Sequence, residues 1–212
     1  MTTIAHAGSG AALTVPELPH LRVAATTTID LGAAERAAAD FLRAMGMDLT
    51  DPSLAATPAR MARAYAELLT PQAMTLTTFP NDAGYDELVL ACDIPFTSVC
   101  EHHLLAFSGT ATVGYLPGPH LLGLSKLARI VGIHSRRPQI QERMTTQIAH
   151  WLDDRIKPRG VGVVLRAEHS CMTLRGVRAH GSTTVTSALL GTLRTDERTR
   201  NEFLALSERR SR

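Results

Sequence analysis

The order of its segments predicts an α+β fold. Three observations carry this. Four stretches rich in β-branched residues, ELVLACDI, FSGTATVGYL, VGVVLRAE and STTVTSALL, read as strands. The helical segments are grouped before them and between the second and third, so strands and helices do not alternate one for one. Neither G-x-G-x-x-G nor G-x-x-x-x-G-K-[ST] occurs, so nothing suggests a doubly wound nucleotide-binding sheet.

Taken in order, residues 1–27 are small, polar and rich in Gly, Ala, Thr and Pro, and are expected to be a flexible tail. Asp30 can cap a helix over LGAAERAAADFLRAMGM, and DLTDPS is a turn. Thr57-Pro58 reads as a second helix start, with Thr57 as cap. Met61, Tyr65, Leu68 and Leu69 form its apolar stripe, while Arg60 and Arg63 share another face. After the first two strands, LSKLARIVGI is expected to start from a Ser125 cap. Pro138 is expected to open a longer helix with Ile140, Met144, Ile148, Trp151 and Leu152 buried. DERTRNEFLALSERR reads as a short terminal helix. The expected division is a tail (1–27), a helical region (28–75) and a catalytic domain (76–212).

Composition excludes several classes. The chain has 212 residues, a net charge of +2 and 4% aromatics, which argues against a nucleic-acid binder. Three cysteines in a chain of this length do not make a disulfide scaffold and fit a reduced compartment. No apolar run is long enough for a membrane span, and the N-terminus lacks a signal-peptide pattern, so the expectation is a cytoplasmic protein.

The strongest local signal is Cys100-Glu101-His102-His103, followed much later by His169-Ser170-Cys171. Thiolate and imidazole are the ligands that zinc prefers. The C-x-x-H spacing lets one turn present Cys100 and His103, and Cys171 offers a third ligand. Three protein ligands leave one position open, as in catalytic rather than structural zinc sites. Cys92 sits in an apolar strand and reads as a small buried hydrophobe rather than a fourth ligand. His102 and His169 remain beside the ligands, and imidazoles there can move protons near neutral pH.

A second set suits anions. Lys126 and Lys157 are the only lysines; the other basic residues are arginines. Ser125, Lys126 and Arg129 fall at a helix start, where backbone N–H groups favour phosphate. Arg60, Arg63 and Arg175 add charge, although each pair alone also fits a solvated helix face. Glu142, beside Gln141, can accept two hydrogen bonds from adjacent N–H donors, as a guanine edge offers, or it can simply be a solvated first-turn carboxylate.

Together the strings TPARMARAYAEL, SVCEHHLLAFSGTATVGYLP, GLSKLARIV, RRPQIQERMTTQIA, AEHSCMTLRGVR and TTVTSALLG resemble the GTP cyclohydrolase I family, in the family's order, from about residue 30 to 205. The resemblance implies the tunnelling fold: an antiparallel four-stranded sheet packed with two helices, behind an N-terminal helical region. It implies zinc on Cys100, His103 and Cys171, with His102 and His169 as catalytic histidines. Glu142 with Gln141 matches the guanine-recognition position. Ser125, Lys126, Arg129 and Arg175 match ribose and triphosphate contacts, and Arg60 and Arg63 match basic residues from the N-terminal helix. The implied reaction turns GTP and water into formate and 7,8-dihydroneopterin triphosphate. The implied assembly is a homo-oligomer, a toroidal decamer with sites between subunits. The chain departs from the family's usual residues at Ser170 and Leu193. Two other readings stay open: a tunnelling-fold paralogue acting on another purine or pterin, and a non-catalytic zinc-binding module.

Overall fold

A computed structural model of the chain describes residues 28–208, so the expected tail at 1–27 lies outside the described residues. Helix α1 (Leu31–Ala44) starts where expected: Asp30 Oδ1 accepts from Ala33 N at 2.9 Å. Asp48 and Asp51 accept hydrogen bonds from Thr50 N and Ser53 N and build the turn that follows. Helix α2 (Thr57–Leu68) differs in its start. Thr57 is already helical, Ala56 precedes it, and no side chain caps the end. The turn is itself helix-like, with Thr57 N bonded to Leu54 O, so the helix needs no side-chain cap to begin.

Strand β1 (Thr78–Pro80) pairs antiparallel with β4 (His120–Leu122) outside the main sheet. The main sheet contains β2 (Val89–Cys100), β3 (Ala106–Leu116), β5 (Pro138–Gln139), β6 (Gly160–His169) and β7 (Thr184–Gly191), in the order β5-β2-β3-β6-β7. The four long strands are antiparallel neighbours throughout, as expected. The first strand runs on through Cys100 instead of stopping at Ile94.

Cys92 is exposed, not buried. The β2–β3 register shifts between Ala91 and Ile94, and Asp93 takes φ 52°. This bulge interrupts the apolar strand in which Cys92 was expected to be buried.

Helices α3 (Ser125–Ser135) and α4 (Gln141–Ile156) cover one face of the sheet. Leu127, Ile130, Met144, Ile148 and Leu152 pack with Ala111, Val113, Val161, Val163 and Leu165 in one apolar cluster, all without solvent exposure. Trp151 of the expected stripe is only partly buried at the edge of this cluster. Ser125 is the first helical residue of α3 rather than its cap, and Leu124 precedes it with no side-chain capping bond. Pro138 does not open α4. It lies in β5, which pairs parallel with Val99–Cys100, and α4 begins three residues later. This short pairing pins the start of α4 to the end of β2, with Glu101 N donating to Gln139 O at 3.0 Å.

After β6 come the single turn α5 (Ser170–Thr173), β7, the short α6 (Thr192–Thr195) and α7 (Glu197–Glu208). Leu193 and Phe203 press on the other sheet face. A Cβ on Gly162 would stand 2.7 Å from both side chains, so the glycine makes room for them. Leu193, where the family often has Phe, is fully buried in this slot. Among the described residues, no helix is long and apolar enough to cross a membrane.

Candidate active site

The ends of β2 and β6 build the site. Cys100 closes β2, and the chain turns back through Glu101–His103, with Leu104 at φ 53°. Cys100 N donates to Leu105 O and Leu104 N to Cys100 O, both at 2.8 Å, which fixes the turn. His169 closes β6, opposite Phe107 in the β3–β6 register, and α5 presents Cys171 beside Cys100.

Cys100 Sγ lies 3.7 Å from His103 Nδ1 and 4.0 Å from Cys171 Sγ. All three donor atoms fall within 4.8 Å of one another. A tetrahedral ion with bonds of about 2.0–2.3 Å to N and S sets its ligands about 3.6–3.8 Å apart. The donors therefore fit a metal ion. The Cys171 thiol is raised above its ordinary pKa, chiefly by burial and then by the Cys100 thiol beside it, while Arg175 pulls it down. A bound cation reverses that balance and favours thiolate.

The two expected catalytic histidines, one next to His103 and one two residues before Cys171, differ in setting. His102 is exposed on the turn, its ring 6.3 Å from that of His103. His169 is half-buried and stacked on Phe107, with centroids 4.4 Å apart and planes 5° from parallel. Its Nε2 lies 2.7 Å from Gln141 Oε1. Burial lowers the His169 pKa, and the nearby Glu142 carboxylate partly offsets this.

Glu142 is exposed in the first turn of α4, beside the site. Gln141 is 1% exposed, and its side chain is taken up by His169 and the sheet rather than left open. Ser125, Lys126 and Arg129 stand at the far end of α3. Its near end is tied to β2 by Ser98 Oγ donating to Ser135 O at 2.7 Å. At 1.5 Å per residue about 15 Å of helix separates Ser125 from Ser135. Arg175 follows α5 and is exposed, as are Arg60 and Arg63 on α2. No hydrogen bond or ion pair among the described residues joins these cations to Cys100, His103 or Cys171.

Four contributors escaped the sequence reading. Arg143 forms an ion pair with Glu101 and so ties the metal-binding turn to α4. Gln139 donates to His134 O and accepts from Arg143. Phe107 supplies the stack under His169. Tyr65 Oη donates to Leu104 O at 3.1 Å, laying α2 against the turn. Of these, only Arg143 had a local signal, since it directly follows Glu142.

A Cys-His-Cys cluster fit for a metal, flanked by two imidazoles at the strand ends of an α+β sheet, defines the class: an enzyme built around a metal site. The model of the family GTP cyclohydrolase I matches residues 34–208. The chain belongs to the GTP cyclohydrolase I family. It is 49% identical to "GTP cyclohydrolase 1" of Mycobacteroides abscessus over 85% of this chain and 91% of that protein. It is 50% identical to "GTP cyclohydrolase 1" of Streptomyces coelicolor over 82% of this chain and 88% of that protein. Among solved structures, the apo archaeosine synthase QueF-Like aligns with TM-score 0.40 and 18% identity, over 49% of this chain and 93% of that one.

Proposed function

We propose that this chain opens the imidazole ring of GTP by hydrolysis and yields formate and 7,8-dihydroneopterin triphosphate, with zinc as its metal. The family supports the substrate, and the Cys100–His103–Cys171 cluster beside His102 and His169 carries the chemical reading. Zinc suits two thiolates and an imidazole, and when bound it supplies a Lewis acid that makes water acidic enough to ionise near neutral pH.

The chain's own residues supply the rest. Glu142 accepts hydrogen bonds from the guanine N1–H and exocyclic N–H groups and so orients C8. His169 and His102 exchange protons with the ring nitrogens and the departing groups as C8–N9 and then the formyl C–N bond are cleaved. Ser125, Lys126, Arg129 and Arg175, with Arg60 and Arg63, hold the ribose and triphosphate in place, a positioning role.

In this reading Ser125, Lys126 and Arg129 come from a neighbouring copy in a homo-oligomer, a decamer, while Arg175 stands beside Cys171 in the same chain. Three features support a neighbour. The length of α3 separates Ser125 and Lys126 from Ser135, where the helix is tied to β2. Among the described residues no strand pairs with the outer edge of β7. An apolar groove of about 720 Å³ between α1, α2 and the metal-binding turn leaves Phe41 55% and Leu104 47% exposed. In this reading residues 28–75 are a helical region that completes a catalytic domain at 76–212, and the protein works in the cytoplasm.

The test is to incubate zinc-loaded protein with GTP, oxidise the product, and measure neopterin fluorescence and formate. Equal amounts of both are expected. Tight zinc binding with neither product overturns the reading.

A further inference from the structure

Gln141 is the first residue of α4 and is almost wholly buried, although its side chain is polar. Both ends of its amide are used. Nε2 lies 3.3 Å from Leu165 O, 3.1 Å from Thr184 O and 3.1 Å from Thr186 Oγ1. Oε1 lies 2.7 Å from His169 Nε2.

The first two partners decide the orientation. Leu165 O and Thr184 O are backbone carbonyls, which only accept. The amide end facing them must be the NH2, because a flip would set its oxygen against two carbonyl oxygens. Oε1 then faces His169 with lone pairs alone, so His169 Nε2 must carry the hydrogen. Neighbouring hydroxyls reinforce this. Thr145 Oγ1 donates to Gln141 O at 2.7 Å and lies 2.6 Å from Thr186 Oγ1. With that donor spent, Thr186 donates to Thr145 and is left to accept from Gln141 Nε2. The chain of bonds closes on Gln141 itself.

Phe107 fixes the plane of the His169 ring by stacking, and Gln141 fixes its rotation within that plane. We propose that Gln141 is a positioning residue that holds His169 in the Nε2–H tautomer and makes Nδ1 the nitrogen that exchanges protons with the substrate. This rests on the reading of His169 as a catalytic imidazole. The partner's lack of charge matters. A carbonyl oxygen accepts from Nε2–H and offers no hydrogen in return, so it holds that hydrogen on Nε2 and leaves Nδ1 as the bare ring nitrogen. A carboxylate at the same place would favour the cation.

The experiment uses the full chain loaded with zinc and labelled with 15N-histidine. Solid-state 15N NMR reads the tautomer, and the His169 signals are assigned by their loss in His169→Ala. Wild type is expected to show Nε2–H alone. Gln141→Met keeps the length and removes both ends of the amide. It is expected to give mixed tautomers and a kcat about 10- to 100-fold lower, with KM for GTP little changed. Gln141→Glu keeps an acceptor for Nε2–H but sets its second oxygen against Leu165 O and Thr184 O, and is expected to recover little of the lost kcat. A wild-type ring protonated at Nδ1 and bare at Nε2 overturns the proposal even if the Met variant fails to fold. So does a Met variant with an unchanged tautomer, or one in which KM rises while kcat holds, which marks direct substrate contact instead. Full turnover by His169→Ala would remove the catalytic reading, while the wild-type and Met spectra would still decide whether Gln141 sets the tautomer.

Discussion

In α3, His134 is 8% exposed and neither ring nitrogen has a hydrogen-bond partner; at the end of β6, His169 is half-buried, stacked on Phe107 and bonded to Gln141. The first belongs to the helix layer over the sheet, where neighbours such as Leu127, Ile130 and Met144 are fully enclosed. There the imidazole is held by packing, and its charge is suppressed. Burial, then the positive Arg137, push its pKa down to about 4, with Gln147 opposing weakly. The second belongs to the rim, where burial is partial and specific hydrogen bonds decide the ring's state. The same side chain is a packing element in one region and, in the proposed mechanism, a proton carrier in the other. The difference lies in what the neighbours offer the ring nitrogens.

The largest expected effect tests the rim. Cys171→Ala removes one of three ligands and should cost at least about 10³-fold in formate release, with zinc content falling in parallel. Wild-type turnover in that variant would break the distinction, because the rim would then hold no working metal site.

A smaller effect tests the helix layer. The folded pKa of His134 lies below its unfolded value of about 6.5, so the unfolded chain binds the proton more tightly. The stability that His134 contributes is present above pH 6.5 and is lost as pH falls toward 4, by about 3 kcal/mol in all. Urea midpoints measured from pH 7 to 4.5 should fall accordingly, and His134→Leu should flatten that slope. An unchanged slope in the variant would assign the acid sensitivity to other groups.

The smallest effect lies between the two regions. Arg143 and Glu101 join the metal-binding turn to α4, but both side chains are 42% exposed. Arg143→Ala should cost less than about 1 kcal/mol of stability, because water screens such a pair. It should loosen the turn and raise the zinc dissociation rate a few-fold. A rate unchanged from wild type would leave the pair as surface decoration.

Much of this was legible before any coordinates. The four long strands, the two sheet-covering helices and the Asp30 cap follow from local pattern, which needs only a few neighbouring residues, while the short β1, β4 and β5 did not show in it. Cys100, His103 and Cys171 declared themselves because metal ligands come from a narrow set of residue types. Cys92 misled because a place in an apolar strand says nothing of a local bulge, and the one at Asp93 is invisible in composition. Pro138 misled because proline suits a first helical turn and an edge strand equally well. Gln141 was placed with the guanine-recognition position by the family resemblance, and its hydrogen bonds to groups 24 to 45 residues away became visible only in the fold.

The sequence by itself determined the fold class, the family and the chemical identity of the metal ligands, since all three rest on residue type and short-range order. Only the tertiary structure decided which polar groups meet. The end of β6 had to come beside α4 before Gln141 could fix a proton on His169, and the end of β2 had to come beside α5 before two thiols and an imidazole could share one ion. Hydrogen bonds and metal ligation act over a few ångströms, and a chain brings distant residues that close only by folding.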